Sequence, residues 1–139
     1  MRFIFSAFIA IALVFHAGVV AFAAQTLSAP EAFARAEAGQ LVLIDIRRPS
    51  EWRESGIASF ATPLSMHEKG FLEGLEKIKS ENPGREIALI CATGGRSAFL
   101  QKELTKRGLG SSIDVSEGMF GNGNAPGWLK RGLPLRQIP

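Results

Sequence analysis

EIALICATGGRS, residues 86–97, joins a strand to a helix and decides the fold of this chain. Its first five residues form an apolar run of strand length, and the segment 97–107 that follows has helical spacing. A strand that leads directly into a helix is typical of an α/β layer fold with a mainly parallel sheet. Ligands in such sheets bind beyond the carboxyl ends of the strands, which is where Cys91 lies.

The loop that begins at Cys91 combines a nucleophile with an anion-binding backbone. Two adjacent glycines, Gly94 and Gly95, allow a tight curl that aims successive N–H groups inward. The positive end of the following helix dipole and these amide donors both favour a thiolate over a thiol. Because Cys91 ends a strand before a Gly-rich turn, this interpretation is favoured over a buried structural cysteine.

Helices and strands alternate through the rest of the chain. Residues 41–46 form a continuous apolar run, which is typical of a parallel strand buried on both faces. Capping-box spacing at Ser28 predicts a helix over 29–38. We expect further helices at 71–79 and 97–107, short strands at 63–66 and 112–115, a short helical or irregular segment at 47–52, and renewed order at 128–130. The pattern predicts one domain, 24–139.

Residues 1–23 have the features of a cleavable signal peptide. Arg2 precedes the apolar run 3–15, and Ala21 and Ala23 match an A-x-A cleavage site, so the mature chain is predicted to begin at Ala24. The predicted location is periplasmic or secreted. The alternative is an uncleaved membrane anchor, because the apolar stretch is nearly long enough to span a bilayer.

Charge and cysteine content narrow the function. Sixteen basic and 13 acidic residues give a net charge of +3, too balanced to predict a nucleic-acid partner. A single cysteine cannot form an internal disulfide, so in an oxidising compartment Cys91 is a candidate working thiol. Once residues 1–23 are removed, His67 is the only remaining histidine. One Cys with one His cannot build a typical zinc site. No metal or cofactor is predicted.

Five motifs in order resemble a single-domain rhodanese over about residues 41–136. They are Leu43-Ile44-Asp45-Ile46-Arg47, Glu51-Trp52, Cys91-x-x-Gly94-x-Arg96-Ser97, Glu117-Gly118-Met119, and Trp128 followed by Gly132-Leu133-Pro134-Leu135. The resemblance implies the rhodanese fold, a mainly parallel five-stranded sheet with helices on both faces.

The resemblance also implies sulfurtransferase chemistry without a cofactor. The Cys91 thiolate would attack the outer sulfur of a donor such as thiosulfate and pass that sulfur from a persulfide to cyanide or a thiol. Arg96 would either receive the anionic donor or buttress the loop. The implied substrate-binding residues are Ala92, Thr93, Gly94, Gly95, Arg96 and Ser97. A structural ion-pair and hydrogen-bond network near the site is expected from Asp45, Arg47 and Glu51.

One segment departs from the family pattern. Where family members usually have Gly-Gly-Met-x-x-Trp, this chain has Glu117-Gly118-Met119 and then eight residues, 120–127, before Trp128, an insertion of about six. By the resemblance, the insertion borders the mouth of the active site. Its Gly and Asn content predicts mobility, so it is either a lid, a contact for a periplasmic protein partner, or a tolerated surface insertion.

Three alternatives compete with an active sulfurtransferase. Related phosphatases and arsenate reductases place five residues between cysteine and arginine, whereas four stand between Cys91 and Arg96, which makes a cradle suited to one sulfur atom. A non-catalytic binding or sulfur-carrier module remains open, because fold does not determine function. A Cys–His pair with His67 has no spacing signature, and an exposed loop histidine is favoured.

Overall fold

The computed structural model describes residues 24–139, so the signal peptide predicted for 1–23 lies outside the described residues. Strands and helices alternate along this part of the chain. In order they are β1 (Thr26–Leu27), α1 (Ala29–Glu37), β2 (Leu41–Asp45), α2 (Pro49–Ser55), β3 (Ile57–Ala58), β4 (Thr62–Pro63), α3 (Phe71–Glu81), β5 (Glu86–Ile90), α4 (Gly95–Lys106), β6 (Ile113–Val115), α5 (Gly127–Lys130) and β7 (Leu135–Arg136).

Five of these strands form one parallel sheet in the order β1-β6-β5-β2-β4. The two longest strands, β2 and β5, lie side by side at its centre, with Leu41 opposite Glu86 and Asp45 opposite Ile90. Strands β3 and β7 pair antiparallel as a separate two-stranded sheet. The predicted α/β fold with a five-stranded parallel sheet is confirmed.

Helices cover both faces of the five-stranded sheet, because successive strand residues point to opposite sides. Leu41 and Leu43 of β2 pack in one apolar cluster with residues of α1 and α5, including the fully buried Trp128. Val42 and Ile44 pack in a second cluster with residues of α3 and α4. Burial on both sides explains why β2 is apolar along its length.

The predicted elements occur with small shifts at their ends. The helix predicted at 29–38 ends at Glu37, and the Ser28 capping box at its start is present. The strand predicted at 63–66 is instead β4, Thr62–Pro63, although the Leu64 and Met66 amides continue hydrogen bonding to the end of β2. Strands β1, β3 and β7, of two residues each, were not predicted.

The topology brings the carboxyl ends of β2 and β5 to one edge of the sheet, so the residues after Asp45 and after Ile90 are neighbours. Within residues 24–139, no helix is long and apolar enough to cross a membrane. The same residues contain no grouping of three or more His, Cys, Asp or Glu side chains that could hold a metal ion.

Candidate active site

Cys91 lies at the start of the loop between β5 and α4. The loop turns at Gly94, whose φ of 95° is in the left-handed region that favours glycine. A Cβ atom at Gly94 would also overlap the carbonyl oxygen of Ser116. This turn directs backbone N–H groups back toward the Cys91 sulfur, so the local sequence builds the cradle that the glycine pair predicts.

Three polar groups surround the sulfur. The Gly94 N–H and the Ser97 N–H donate to Cys91 Sγ at 3.2 and 3.4 Å, and Ser97 Oγ lies 3.3 Å from the same atom. Cys91 is fully buried and sits in front of the first turn of α4, a helix of 12 residues. Amide donors and the positive end of a helix dipole both stabilise negative charge on sulfur.

The Arg96 guanidinium is paired with Glu51. Arg96 Nη2 and Nη1 lie 2.6 and 2.8 Å from the two carboxylate oxygens of Glu51. The hydrogen bond from Arg96 holds the pKa of Glu51 at about 2, and Glu51 in turn raises the pKa of Arg96. In this arrangement Arg96 ties the loop to α2, which corresponds to the buttressing role.

A second ion pair lies beneath the first and is completely buried. Arg47 Nη2 donates to Asp45 Oδ2 at 2.7 Å and Nε donates to Oδ1 at 3.0 Å, while both side chains have no exposed area. Arg47 also donates to the Gly56 carbonyl at 2.8 Å and to Ser55 Oγ at 2.9 Å. Trp52 Nε1 donates to Asp45 Oδ1 at 3.0 Å, so the network joins β2 to α2.

Glu51 joins the expected network of Asp45 and Arg47 through its backbone carbonyl and not through its carboxylate. Ser55 Oγ accepts from Arg47 Nη1 at 2.9 Å and donates to the Glu51 carbonyl at 3.0 Å. Glu51 caps the first turn of α2 by accepting from the Arg48 N–H at 2.9 Å, and its carboxylate faces Arg96 instead. On the Glu51 carboxylate itself, Arg47 has a minor electrostatic effect that lowers the pKa of Glu51. The Glu51 carboxylate therefore supports the Cys91 loop directly.

Residues 120–127 are hydrogen-bonded to the Cys91 loop, a contact that the Gly and Asn content of the segment does not predict. The Phe120 N–H donates to the Ala92 carbonyl at 2.8 Å, and Asn122 Nδ2 donates to the Thr93 carbonyl at 3.0 Å. The Asn122 amide also reaches the Ser116 carbonyl at 3.1 Å. The Phe120 ring is 45% exposed and stacks over Arg47, with 5.9 Å between the ring centroid and Cζ, so it borders the mouth of the site.

Glu117 is a supporting residue whose role the sequence did not reveal. Its buried carboxylate accepts from the Ala29 N–H at 2.7 Å, the Gly127 N–H at 2.8 Å and Arg131 Nε at 2.7 Å. Burial acts to raise the pKa of Glu117, but these hydrogen bonds outweigh it and lower the pKa. The only sequence signal was the acidic residue at a position where the family pattern has glycine.

His67 is exposed on the loop after β4, as its loop position indicates, but it lies at the rim of the site. Its Nε2 is 3.3 Å from Arg96 Nη1. Partial desolvation of the ring, together with the Arg48 and Arg96 charges, lowers the pKa of His67 and favours neutral imidazole. Among the hydrogen bonds of residues 24–139, none joins His67 to Cys91, so no Cys–His pair is assembled.

Comparison with known proteins places this arrangement in one family. Residues 28–122 match the family model described as Rhodanese-like domain. One relative is the uncharacterized protein RP600 of Rickettsia prowazekii, which is 28% identical over 98 residues that cover 66% of this chain and 80% of that protein.

Solved structures share the fold. The crystal structure of Rv0390 from Mycobacterium tuberculosis superposes with a TM-score of 0.65 at 24% identity and covers 83% of this chain and 98% of its own. The polysulfide-sulfur transferase homodimer of Wolinella succinogenes superposes with a TM-score of 0.60 at 26% identity, covering 83% of this chain and 80% of that one. The chain belongs to the Rhodanese-like domain family.

Proposed function

We propose that this protein is a sulfurtransferase that carries sulfur as a Cys91 persulfide. The observation that carries the proposal is the set of donors around Cys91 Sγ, the Gly94 and Ser97 amides and the Ser97 hydroxyl, all within 3.4 Å. Such donors stabilise negative charge on the attacking thiolate and, after transfer, on the persulfide. The relationship to a polysulfide-sulfur transferase supports the same chemistry.

The reaction has two displacements at sulfur. The Cys91 thiolate attacks the outer sulfur of thiosulfate, a new S–S bond forms, and the old one breaks with release of sulfite. Cyanide or a thiolate acceptor then attacks the outer sulfur of the persulfide, and the Cys91 thiolate leaves with its electron pair. The products are thiocyanate or an acceptor persulfide, and neither step has a net requirement for an oxidant or a metal ion.

The loop length supports sulfur over phosphorus chemistry. Four residues separate Cys91 from Arg96, and the Arg96 guanidinium points to Glu51 rather than into the cradle. A phosphate oxyanion would need the loop amides and an arginine to converge on one tetrahedral group. The cradle has two amides directed at one sulfur atom, which suits the smaller group.

The direct test is the intact mass of the protein after incubation with thiosulfate and removal of excess donor. We expect a gain of one sulfur atom that cyanide reverses. Cys91→Ser is the matched control because it replaces the thiol with a hydroxyl of similar size and so removes the nucleophilic sulfur. An unchanged wild-type mass with thiosulfate and with polysulfide would reject the proposal in favour of a non-catalytic binding module.

We also propose that the protein is exported and works in the periplasm or outside the cell. The support is the sequence pattern of residues 1–23, with its apolar run and the Ala21 and Ala23 cleavage signal. Expression of the full chain in a bacterial host with a periplasm should give a mature protein whose mass begins at Ala24. A full-length mass recovered from the membrane fraction would instead indicate an uncleaved anchor.

A further inference from the structure

Helices α3 and α4 cover the same face of the sheet, and an apolar groove of about 360 Å³ lies between them. Its floor is formed by Phe71, Leu100 and Leu104, which are almost fully buried. Its walls are Leu72 on α3 and Phe99 on α4, which are 40% and 59% exposed. Exposed apolar side chains that continue a groove bordered by polar residues are typical of a surface that binds a partner.

The border of this groove is acidic. It contains Glu68, Glu73 and Glu103, and its one basic residue, Arg107, donates from Nη2 to Glu103 at 3.3 Å. Among the ion pairs of residues 24–139, none includes Glu68 or Glu73, and no lysine of this part of the chain lines the groove. The border therefore has two uncompensated negative charges, although the net charge of the whole chain is +3.

One end of the groove lies at the edge of the sheet where the Cys91 loop begins. Met66 lines that end, and its N–H donates to the carbonyl of Ile46, the residue after β2, at 3.1 Å. Phe99 is one helical turn after Arg96, so both side chains are on the same side of α4. From Phe99 the groove follows α4 as far as the Arg107 side chain, which is about 12 Å at 1.5 Å per residue.

We propose that this groove binds a basic amphipathic helix of the protein that accepts the sulfur. Apolar side chains of that helix lie between Leu72 and Phe99, and its Lys or Arg side chains face Glu68 and Glu73. Charge complementarity selects this occupant, because the acidic border repels an anionic membrane surface and nucleic acid. The inference rests on the proposed sulfur transfer, since it names the class of acceptor for the same site.

The test uses a fluorescently labelled helical peptide with Leu on one face, Lys beside it and one terminal cysteine. Fluorescence anisotropy with the cysteine replaced by serine measures binding alone, and the thiol form measures KM as a sulfur acceptor. One comparison peptide has Glu in place of every Lys, and the other has Ala in place of every Leu. We expect the Leu/Lys peptide to bind about tenfold more tightly than either, and its affinity to fall as salt is added.

Two changes in the protein test the groove itself. Phe99→Ala removes one wall, and the combined change of Glu68→Lys and Glu73→Lys reverses the charge of the border. Each should weaken binding of the Leu/Lys peptide about tenfold, raise KM for its thiol form and leave transfer to cyanide unchanged. The matched controls are Phe60→Ala, at an exposed ring that packs against α1 on the other face of the sheet, and Glu37→Lys, at an exposed acid of α1. Both controls should bind the peptide as the wild type does, and thermal unfolding shows that every variant is folded.

Three results would overturn the proposal. Equal affinities for the Leu/Lys and Leu/Glu peptides would show that charge does not select the occupant. Wild-type affinity for the Leu/Lys peptide in Phe99→Ala would show that the peptide binds elsewhere. A dimer of the wild-type protein in sedimentation that Phe99→Ala converts to monomer would show that a second copy of this chain covers the groove.

The inference and the proposed sulfur transfer fail separately. The anisotropy measurement needs no sulfur donor, whereas the mass gain with thiosulfate reports transfer itself. If the mass gain occurs and the Leu/Lys peptide has no advantage in affinity or KM, only the role of the groove is wrong. If the peptide binds as expected and no sulfur is gained, the groove is a docking surface of a protein that does not accept sulfur from these donors.

Discussion

The buried guanidinium of Arg47 holds together the structure beside the site. It joins Asp45, Ser55 and the Gly56 carbonyl, and neither member of the ion pair has any exposed area. Removing one partner of a buried pair leaves an uncompensated charge, which costs about 3–5 kcal/mol. Arg47→Ala should therefore lower the free energy of unfolding by that amount, measured by urea denaturation.

Arg53→Ala is the matched control for Arg47→Ala, because Arg53 is an exposed arginine on the neighbouring helix α2. We expect it to change the unfolding free energy by less than about 0.5 kcal/mol. An Arg47→Ala protein with wild-type stability and no sulfur transfer would contradict a structural role and point to contact with substrate.

The pair of Glu51 and Arg96 predicts a pH dependence of stability. The pKa of Glu51 is about 2 in the folded protein, below its ordinary value of 4.5, because Arg96 donates to the carboxylate. A group with a depressed folded pKa stabilises the protein above its unfolded pKa and loses that contribution as the pH falls through the folded value. Glu51→Gln should therefore cost about 1.5 kcal/mol at neutral pH, and the difference from wild type should shrink between pH 4.5 and about 2.

Urea denaturation at several pH values measures this difference. Glu54→Gln is the control, since Glu54 is an exposed acid on the same helix. A deficit of Glu51→Gln that is constant from neutral pH to pH 3 would contradict the ion pair as its cause.

At the residue scale, contacts between residues that are close in the chain could be predicted from the sequence, and contacts between distant residues could not. Cys91, Gly94 and Ser97 are close in the chain, and their convergence on the sulfur follows from a glycine turn before a helix. The partner of Glu51 is 45 residues away in the chain, and no local spacing indicates it. The sequence therefore predicted the nearby Asp45 and Arg47 as neighbours of Glu51 but not the Arg96 ion pair.

At the scale of elements, Glu117 connects helices that are far apart in the sequence. Its carboxylate binds the amide at the start of α1, the amide at the start of α5 and the Arg131 side chain. Hydrogen bonds to a charged acceptor contribute about 1.5–3 kcal/mol each, and they are not additive. Glu117→Ala should cost about 3 kcal/mol and should speed hydrogen exchange of the Ala29 and Gly127 amides.

Glu37→Ala is the control for this clamp, because Glu37 is an exposed acid at the other end of α1. It should leave exchange of both amides at the wild-type rate. Loss of stability in Glu117→Ala with unchanged exchange at Gly127 would show that the carboxylate does not hold the start of α5.

Element prediction succeeded where burial imposes a pattern. Strands β2 and β5 are covered on both faces, so their sequences are apolar runs of the correct length. Strands β1, β3 and β7 have two residues each, which is too short for an alternation of apolar and polar residues to be recognised. Only β3 is buried. Their pairing is decided by tertiary contacts. The contact of the insertion with the Cys91 loop was not predicted for a related reason, because Asn122 binds the Thr93 carbonyl, which is 29 residues away in the chain.

At the scale of the whole molecule, three segments distant in sequence meet at the Cys91 loop, at the edge of the sheet. The loop after β5 supplies Cys91, α2 supplies Glu51, and residues 120–127 form the remaining wall. Cys91 is fully buried, so an acceptor meets this rim before it meets the sulfur. Residues 122–124 and Phe120 are exposed there, and we propose that they contact a large acceptor.

Shortening the insertion tests that surface. Asn122 and Ala125 form an isolated bridge, and the backbones at Gly121 and Pro126 are in contact, so deletion of 122–125 can be closed without moving the flanking elements. We expect cyanide to accept sulfur from the deletion variant at the wild-type rate, because it is small enough to pass the rim. For a peptide or protein thiol we expect KM to rise about tenfold, which corresponds to about 1.4 kcal/mol of lost contact.

Asn122→Ala separates contact from loop support, since it removes the hydrogen bonds to the Thr93 and Ser116 carbonyls but keeps the segment. If the insertion served only to hold the Cys91 loop, both variants would slow transfer to cyanide and to thiols alike. Wild-type kinetics of the deletion variant with both acceptors would identify 120–127 as a tolerated surface insertion. A selective rise in KM for the large thiol, found in the deletion and not in Asn122→Ala, is the result that assigns this segment to acceptor recognition.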